Sequence, residues 1–320
     1  MTVAWKAQQE LGNRRMIRLM AWIALSWGRP VARALLFPIC LYYLCRSIAA
    51  QGTLRRYYVR ALGRSPAWKE LFHHYHCFAS TILDRLYFLR GHFDQFAITI
   101  QGTDALSQAL ASGRGCLLLG SHLGSFEVVR AVGSTRDEID IKVLMDEDNA
   151  PLMRAFFREI NPAVADNVLQ VGRLDTMLRV QECLDGGGIV GIMGDRLISQ
   201  SQAVYCDFLG ATAPFPTGTM RLAHTVRAPV VMFFGLYRGG NRYDIHLELL
   251  SDRIQLSQDR REDDIRRWTQ RYADRLAHYS RQAVDNWFNF YDFWQTHDRS
   301  APARAHGDDA PADSGALSRR

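Results

Sequence analysis

From residue 96 onward, short apolar runs alternate with longer amphipathic stretches. Short apolar runs bounded by glycine or polar residues are typical of buried strands, whereas apolar residues at intervals of three and four favour helices. The strands predicted in this way cover residues 97–100, 116–119, 139–144, 189–193, 230–234 and 243–249. The predicted helices cover residues 103–111, 151–160, 174–184, 217–226 and 259–285. This alternation predicts an α/β domain over residues 96–296, with a mostly parallel central sheet covered by helices.

Residues 1–95 have a different pattern, without strand-like runs, and predict a helical region. Its most apolar stretch, residues 34–45, is shorter than the about 20 apolar residues that a spanning helix needs. Arginine, tryptophan and tyrosine flank this stretch, as is typical of helices that lie in a membrane interface. The alternative is a helical hairpin packed against the α/β domain. We expect residues 1–95 to be a membrane-associating region.

Composition narrows the choice of partners. The chain has 320 residues, of which 48% are apolar, so it can bury a sizeable core. A net charge of +6 favours anionic partners such as a membrane surface or an acidic protein. No basic and aromatic recognition motif appears, so we expect no nucleic-acid partner. The six cysteines are scattered without a Cys-x-x-Cys pair, which predicts buried thiols. The composition of residues 297–320 predicts a disordered tail.

The candidate chemistry lies directly after the predicted strand 116–119. Residues 120–127 (GSHLGSFE) place His122 in a loop at the carboxyl end of a strand, where open α/β sheets bind ligands. We predict that Ser125 caps a helix and that Glu127, in its first turn, folds back onto the imidazole. A carboxylate on one ring nitrogen fixes the tautomer, so that the other nitrogen can accept a proton. The alternative is a loop histidine that caps the helix or bonds a backbone carbonyl.

Two later segments supply further candidate site residues. Asp195 follows a predicted strand, as His122 does, so both border one crevice. The alternative is that Asp195 and Arg196 form an ion pair that holds a loop. The helix predicted to begin at Thr217 and Gly218 presents free backbone N–H groups, which suit a phosphate of phosphopantetheine or lipid. Plain helix capping is the alternative there.

The N-terminal region contains two polar clusters. A basic run on a predicted helix comprises Arg55, Arg56, Arg60 and Arg64. This run suits an acidic carrier protein or lipid headgroups as well as a solvated helix face. His73 and His76 share a helix face at a spacing that allows a metal site, but no His-Glu-x-x-His pattern accompanies them. We therefore assign no metal and no resident cofactor.

Residues 120–127 resemble the His-x4-Asp/Glu motif of the bacterial lipid A biosynthesis acyltransferase family, within the wider lysophospholipid and glycerolipid acyltransferase group. Further segments resemble later blocks of that family in the right order: residues 149–154 (NAPLMR), 186–195 (GGGIVGIMGD), 208–210 (FLG), 214–218 (PFPTG) and 286–294 (NWFNFYDFW). By spacing, Met145 stands where such enzymes usually carry arginine. The resemblance therefore implies acyl transfer more firmly than a phosphorylated lipid A acceptor.

The resemblance implies a membrane-associated acyltransferase at the cytoplasmic face of the bacterial inner membrane. The acyl thioester donor is expected on acyl carrier protein, with acyl-CoA as the alternative, and the acceptor is a hydroxyl of a lipid or glycolipid. His122 is then the base and Glu127 its orienting acid. The residues expected to bind substrate are Ser125, Asn149, Arg154, Asp195, Arg196, Thr217 and Gly218.

The transition state of this reaction carries an oxyanion, which needs hydrogen-bond donors. Backbone N–H groups near Gly124 and Ser125, or a basic residue, are the expected donors. No Gly-x-Ser-x-Gly nucleophile elbow is present, so the attacking hydroxyl comes from a substrate. The alternatives are a thioester hydrolase, in which water replaces the acceptor, and a non-catalytic protein that binds lipid or a carrier protein.

Overall fold

A computed structural model describes residues 14–111, 113–129, 139–145, 160–162, 166–172, 175–197 and 202–294. These residues contain eight α-helices and nine β-strands. Asn149, Arg154, all but the last residue of the predicted helix 151–160, and the predicted tail 297–320 lie outside the described residues.

Four helices precede the first strand. They are α1 (Arg14–Ser26), α2 (Arg29–Arg46), α3 (Ile48–Leu62) and α4 (Trp68–Leu89). The strands are β1 (Ala97–Gln101), β2 (Cys116–Gly120), β3 (Ile141–Met145), β4 (Val168–Gln170), β5 (Ile189–Met193), β6 (Ala203–Phe208), β7 (Ala211–Pro216), β8 (Val230–Tyr237) and β9 (Arg242–Ser251). The remaining helices are α5 (Thr103–Leu110), α6 (Thr176–Asp185), α7 (Gly218–Val226) and α8 (Arg261–Gln282), and a 3-10 turn, Val284–Asn286, follows α8.

Seven strands form one sheet in the order β1-β9-β8-β2-β5-β3-β4. Five neighbouring pairs are parallel, and β8 and β9 form the one antiparallel pair of this sheet. The predicted α/β class with a mostly parallel sheet is confirmed. β2 lies at the centre, between β8 and β5, so its carboxyl end is flanked by the ends of two parallel neighbours.

Each face of the sheet is covered by its own hydrophobic core. The side chains of β2 alternate between the two faces, as the pleat of a strand requires. Leu117 and Leu119 belong to a core that includes α8 and aromatic residues near the end of the described chain. Cys116 and Leu118 belong to a second core, which includes α2 and α4. α2 and α4 therefore pack on one face of the sheet, whereas Tyr57, Tyr58 and Ala61 of α3 belong to the core on the other face.

None of the helices that the structure describes is, by itself, long and apolar enough to span a membrane. α2 and α3 pass the length and composition test together, but the chain bends by 93° between them. The predicted helical character of the described part of residues 1–95 is confirmed, and the domain boundaries stay a prediction.

The sequence did not predict β4 or the separate hairpin of β6 and β7. The hairpin turns at Leu209 and Gly210, which both have left-handed backbone angles, with φ of 51° and 79°. Its strands mix polar, proline and aromatic residues, so they lack the continuous apolar run that marks the strands of the main sheet.

Candidate active site

The loop after β2 does not begin a helix at Ser125, so that prediction is wrong. Leu123 and Gly124 form isolated bridges with Trp287 and with Gly235 of β8. Gly124 has a φ of 75°, and a Cβ atom added there would lie 2.0 Å from the carbonyl oxygen of Gly235. The backbone N–H of Ser125 then donates to the same oxygen at 2.8 Å. A close approach that requires glycine thus holds the chain along β8.

The imidazole of His122 pairs with the carboxylate of Asp195. Nδ1 of His122 lies 2.7 Å from Oδ1 of Asp195, and the backbone N–H of His122 donates to Oδ2 at 2.9 Å. The indole N–H of Trp287 donates to Oδ2 at 3.2 Å. The Asp195 side chain is fully buried, whereas that of His122 is 24% exposed. Three donors therefore fix a buried carboxylate against one nitrogen of a partly accessible ring.

Strand register explains why these two residues meet. β2 and β5 are parallel, and Gly120 pairs with Met193 at their carboxyl ends. His122 and Asp195 each follow two residues after that pair, so they occupy equivalent positions beyond adjacent strands. The N–H of Gly194 donates to the carbonyl of Gly120 at 3.0 Å and extends the pairing toward the site. The expectation that both residues border one crevice agrees with this geometry.

The structure does not show the predicted contact between Glu127 and His122. Nδ1 of His122 is taken by Asp195, and Oε1 of Glu127 instead lies 2.7 Å from Nε of Arg85 on α4. The Ser125 hydroxyl also reaches Glu127, at 3.5 Å. Because residues 123–125 run along β8, the turn that follows directs Glu127 toward α4. A catalytic role for Glu127 stays a prediction, but its partner in the structure is Arg85.

A segment from the end of the described chain, residues 286–289, clamps the His122 loop. The N–H of Gly124 donates to the carbonyl of Asn286 at 2.8 Å, and the N–H of Phe288 donates to the carbonyl of His122 at 2.9 Å. The side chain of Asn286 bonds both the N–H and the carbonyl of Tyr237 at the end of β8, at 2.7 and 3.2 Å. Sequence reasoning missed Asn286 and Trp287 as residues that hold the site.

The hydrogen bonds of this loop also occupy the backbone N–H groups of Gly124 and Ser125, which were expected to donate to the oxyanion. The N–H of Gly124 is bonded to Asn286 and that of Ser125 to Gly235. Both donors are therefore engaged within the protein and are not available to a substrate oxygen.

The environment keeps the imidazole neutral and the carboxylate charged. Burial, followed by the positive charge of Arg196, lowers the pKa of His122, although Asp195 opposes this shift. Burial tends to raise the pKa of Asp195, but the charge and hydrogen bonds of His122 outweigh it and leave the pKa below its usual value. Among the described residues, no hydrogen bond involves Nε2 of His122. Nε2 can therefore accept a proton at neutral pH.

Arg196 contacts the clamping segment. Its Nε donates to Oδ1 of Asn289 at 3.1 Å, and its Nη2 donates to the carbonyl of Phe288, also at 3.1 Å. The hydrogen bonds on the Asp195 carboxylate come from His122 and Trp287, so the alternative of a simple Asp195–Arg196 loop pair does not describe the site. Whether Arg196 binds substrate stays a prediction.

Thr217 and Gly218 lie at the start of α7, close to where the helix was predicted to begin. The N–H of Thr217 donates to the carbonyl of Gln202 at 2.9 Å. Within the described parts of the chain, the Thr217 hydroxyl is buried without a partner. In those parts of the chain, no contact joins Thr217 to His122, and the role of Thr217 in binding substrate stays a prediction.

The predicted basic run, of which Arg64 lies just beyond the end of α3, contacts neighbouring parts of the protein. Arg56 pairs with Asp292 at 2.8 Å, and Arg64 pairs with Glu70 at 2.6 Å. The guanidinium of Arg60 lies 4.8 Å from the ring centre of Trp294. Part of this run thus packs against the aromatic residues that follow the clamping segment.

The protein is an α/β protein with a mostly parallel sheet, and an imidazole–carboxylate pair lies just beyond the carboxyl ends of its central strands. Such a pair is suited to acid–base chemistry. The model of the bacterial lipid A biosynthesis acyltransferase family matches residues 83–296. This match spans both residues of the pair as well as Arg85, Glu127 and the clamping segment. The chain belongs to this family and is an acyltransferase, whose reaction is acyl transfer to a lipid acceptor. A search of curated proteins finds no match.

Proposed function

We propose that this protein moves a fatty acyl group from an acyl thioester to a hydroxyl of a lipid or glycolipid, with His122 as the base. The observation that carries the proposal is the buried Asp195 carboxylate on Nδ1 of His122. It leaves Nε2 on the partly exposed part of the site, where a hydroxyl can approach.

The chemistry follows from that arrangement. Asp195 accepts the Nδ1–H, so the lone pair of the neutral ring lies on Nε2. Nε2 takes the hydroxyl proton as the acceptor oxygen attacks the thioester carbonyl, and Asp195 stabilises the imidazolium that forms. When the tetrahedral intermediate collapses, the carbon–sulfur bond breaks and the thiolate recovers the proton from Nε2. The products are an ester and a free thiol.

Arg85 supplies a positive charge for the oxyanion in this proposal. Its charge contributes to lowering the pKa of His122, which indicates that it lies near the imidazole. Glu127 pairs with Arg85 at 2.7 Å, and both side chains are mostly buried. We assign Glu127 the role of holding Arg85 in place. A cation in a poorly solvated site stabilises developing negative charge more strongly than it would in water.

The proposed donor is acyl carrier protein, and the proposed location is the cytoplasmic face of the inner membrane. The net charge of +6 suits both an acidic carrier and an anionic surface. α1, α2, α3 and the turn between α1 and α2 expose large apolar side chains, including Trp22, Trp27, Phe37, Tyr42 and Ile48. Exposed arginines accompany them at positions 15, 18 and 46. Apolar and basic side chains on neighbouring helices support attachment to a membrane surface.

Purified full-length protein, given acyl carrier protein or CoA thioesters and a lipid acceptor, tests the proposal. His122→Ala should lower kcat by about 10²- to 10⁴-fold, the usual contribution of a general base. His278→Ala, which alters an exposed histidine on α8, is the matched control and should keep activity. Equal chemical-step rates for wild type and His122→Ala would exclude His122 as the base. Acceptor-independent release of free fatty acid would instead indicate a hydrolase.

A further inference from the structure

A second imidazole–carboxylate pair lies between α4 and the 3-10 turn Val284–Asn286. Nε2 of His73 lies 2.8 Å from Oδ2 of Asp285. The thiol of Cys77, one helical turn after His73, donates to the same oxygen at 3.4 Å, and its Sγ lies 3.5 Å from Nε2 of His73. One nitrogen, one sulfur and one oxygen thus converge on a single point.

We propose that His73, Cys77 and Asp285 form a binding site for a divalent transition metal ion, with Zn²⁺ as the best match. Imidazole, thiolate and carboxylate are the ligands that Zn²⁺ uses in proteins, and a thiolate disfavours Mg²⁺ and Ca²⁺. Three protein ligands leave one tetrahedral position for water. The side chain of His73 is 58% exposed, so the ion can enter from solvent.

The distances match a tetrahedral zinc centre. Usual zinc–ligand bonds of about 2.0 to 2.3 Å place neighbouring ligand atoms of a tetrahedral site about 3.3 to 3.8 Å apart. The two distances to Sγ, 3.5 and 3.4 Å, already have these values. The distance from His73 to Asp285 is that of a hydrogen bond, 2.8 Å, and would widen when the ion replaces the shared proton. Binding also displaces the Cys77 thiol proton, so the site releases protons as it fills.

The carboxylate is held in place by a neighbour, as metal ligands usually are. Nδ2 of Asn286 donates to Oδ1 of Asp285 at 2.9 Å and leaves Oδ2 for the ion. Asn286 also bonds the end of β8, and the next residue, Trp287, bonds Asp195. An ion at this site would therefore fasten α4 to the segment that clamps the His122 loop.

His76 is not part of the site, although it shares a helix face with His73. Its ring lies 4.7 Å from the ring of Phe37 and 6.2 Å from that of Phe72. The partner of His73 is thus Cys77, four residues along α4, and the third ligand comes from a distant part of the chain.

Cobalt titration of the full-length, chelator-treated protein tests the proposal, because Co²⁺ bound to a thiolate gives a charge-transfer absorption in the near ultraviolet. We expect one equivalent of Co²⁺ to produce this absorption and Zn²⁺ to abolish it by displacement. Cys77→Ser should eliminate it, whereas Cys45→Ser, which alters an exposed cysteine on α2, should retain it. Absence of the absorption in the wild type, or its retention in Cys77→Ser, would overturn the proposal.

A second variant covers the case in which Cys77→Ser does not fold, since Cys77 is buried. His73 is exposed, so His73→Gln should fold and bind Co²⁺ at least about 10-fold more weakly. His92→Gln, at another exposed histidine, should bind as the wild type does. Equal affinities for wild type and His73→Gln would contradict the site. The absorption measures binding of Co²⁺ and does not depend on acyl transfer. The result of this experiment is therefore independent of the proposed function.

Discussion

Two histidine–carboxylate pairs in this protein have nearly the same nitrogen–oxygen distance, but they use different ring nitrogens and have different surroundings. The nitrogen–oxygen distances are 2.7 Å for His122 with Asp195 and 2.8 Å for His73 with Asp285. The carboxylate of the first pair is fully buried at the carboxyl edge of the sheet, whereas 23% of the Asp285 side chain is exposed. The second pair joins the surface of α4 to a turn, and its imidazole is mostly exposed.

Burial decides the charge of each imidazole. Burial and the charge of Arg196 lower the pKa of His122 despite its carboxylate partner. The hydrogen bond to Asp285 raises the pKa of His73 and outweighs the opposing effect of burial. Hydrogen bonds from His73 and Asn286 bring the pKa of Asp285 to about 2, although burial acts in the opposite direction. The surroundings thus favour the neutral form of the His122 imidazole and the charged form of the His73 imidazole.

The largest effect is expected for Asp195→Asn. The donors from the His122 backbone and Trp287 would hold the amide oxygen, so the amide NH₂ would face Nδ1 of His122. That arrangement favours the tautomer with its proton on Nε2, which cannot accept another. We expect kcat to fall by about 10²- to 10⁴-fold in steady-state assays. Asp285→Asn should change kcat far less, and equal losses would remove the distinction between the two pairs.

Glu127→Gln separates the observed pair from the pair predicted by sequence. If Glu127 holds Arg85, its loss disturbs positioning and should lower kcat by up to about 100-fold. Single-turnover rates should therefore rank Asp195→Asn below Glu127→Gln. Glu182→Gln, at an exposed glutamate on α6, serves as the control. The reverse ranking would return the orienting role to Glu127.

Arg196→Gln tests the electrostatic part of the comparison. The neutral form of His122 is the active one, and Arg196 lowers the pKa of the ring. Removing its charge should raise that pKa and move the acid limb of the kcat/KM profile to higher pH. Arg196→Lys retains the charge and should move the limb less. An unchanged limb in Arg196→Gln would show that Arg196 does not set the protonation of His122.

The smallest effect is expected for a substitution in the exposed pair of His73 and Asp285. The quantity measured is the free energy of unfolding in urea, in the presence of a chelator. The folded-state pKa of His73 is raised, so its stabilising contribution is fully present below its unfolded pKa of about 6.5. This contribution is lost as the pH rises through the folded-state pKa. His73→Gln should therefore destabilise the protein by less than about 1 kcal/mol at pH 5.5 and by still less at pH 9. A larger loss at pH 9 would contradict the assigned charge.

Local patterns were sufficient to predict the strands that place the site. The continuous apolar runs of β2 and β5 are visible in the sequence, and in the structure His122 and Asp195 each lie two residues after the ends of these strands. That shared offset brings His122 and Asp195 together once the two strands are paired in parallel. The sequence thus predicted the location of the site and the proximity of its two central residues.

Local sequence patterns did not predict that Asp195, and not Glu127, bonds the imidazole of His122. The choice of partner depends on the approach of Gly124 to Gly235, on the hydrogen bond that the carbonyl of Asn286 accepts from Gly124, and on the one that Trp287 donates to Asp195. These contacts join residues far apart in the chain, and no local periodicity encodes them. The five-residue spacing from His122 to Glu127 suggested a direct pair, because it was combined with a helix that the structure does not have at Ser125.

The most direct test of the central claim is the titration of His122 by ¹⁵N NMR in protein labelled at histidine. The signal of His122 among the ten histidines can be assigned from its absence in His122→Gln. We predict a neutral ring with its proton on Nδ1 and a pKa below the usual value of about 6.5. A proton on Nε2 in the neutral ring, or a pKa above that value, would contradict the account.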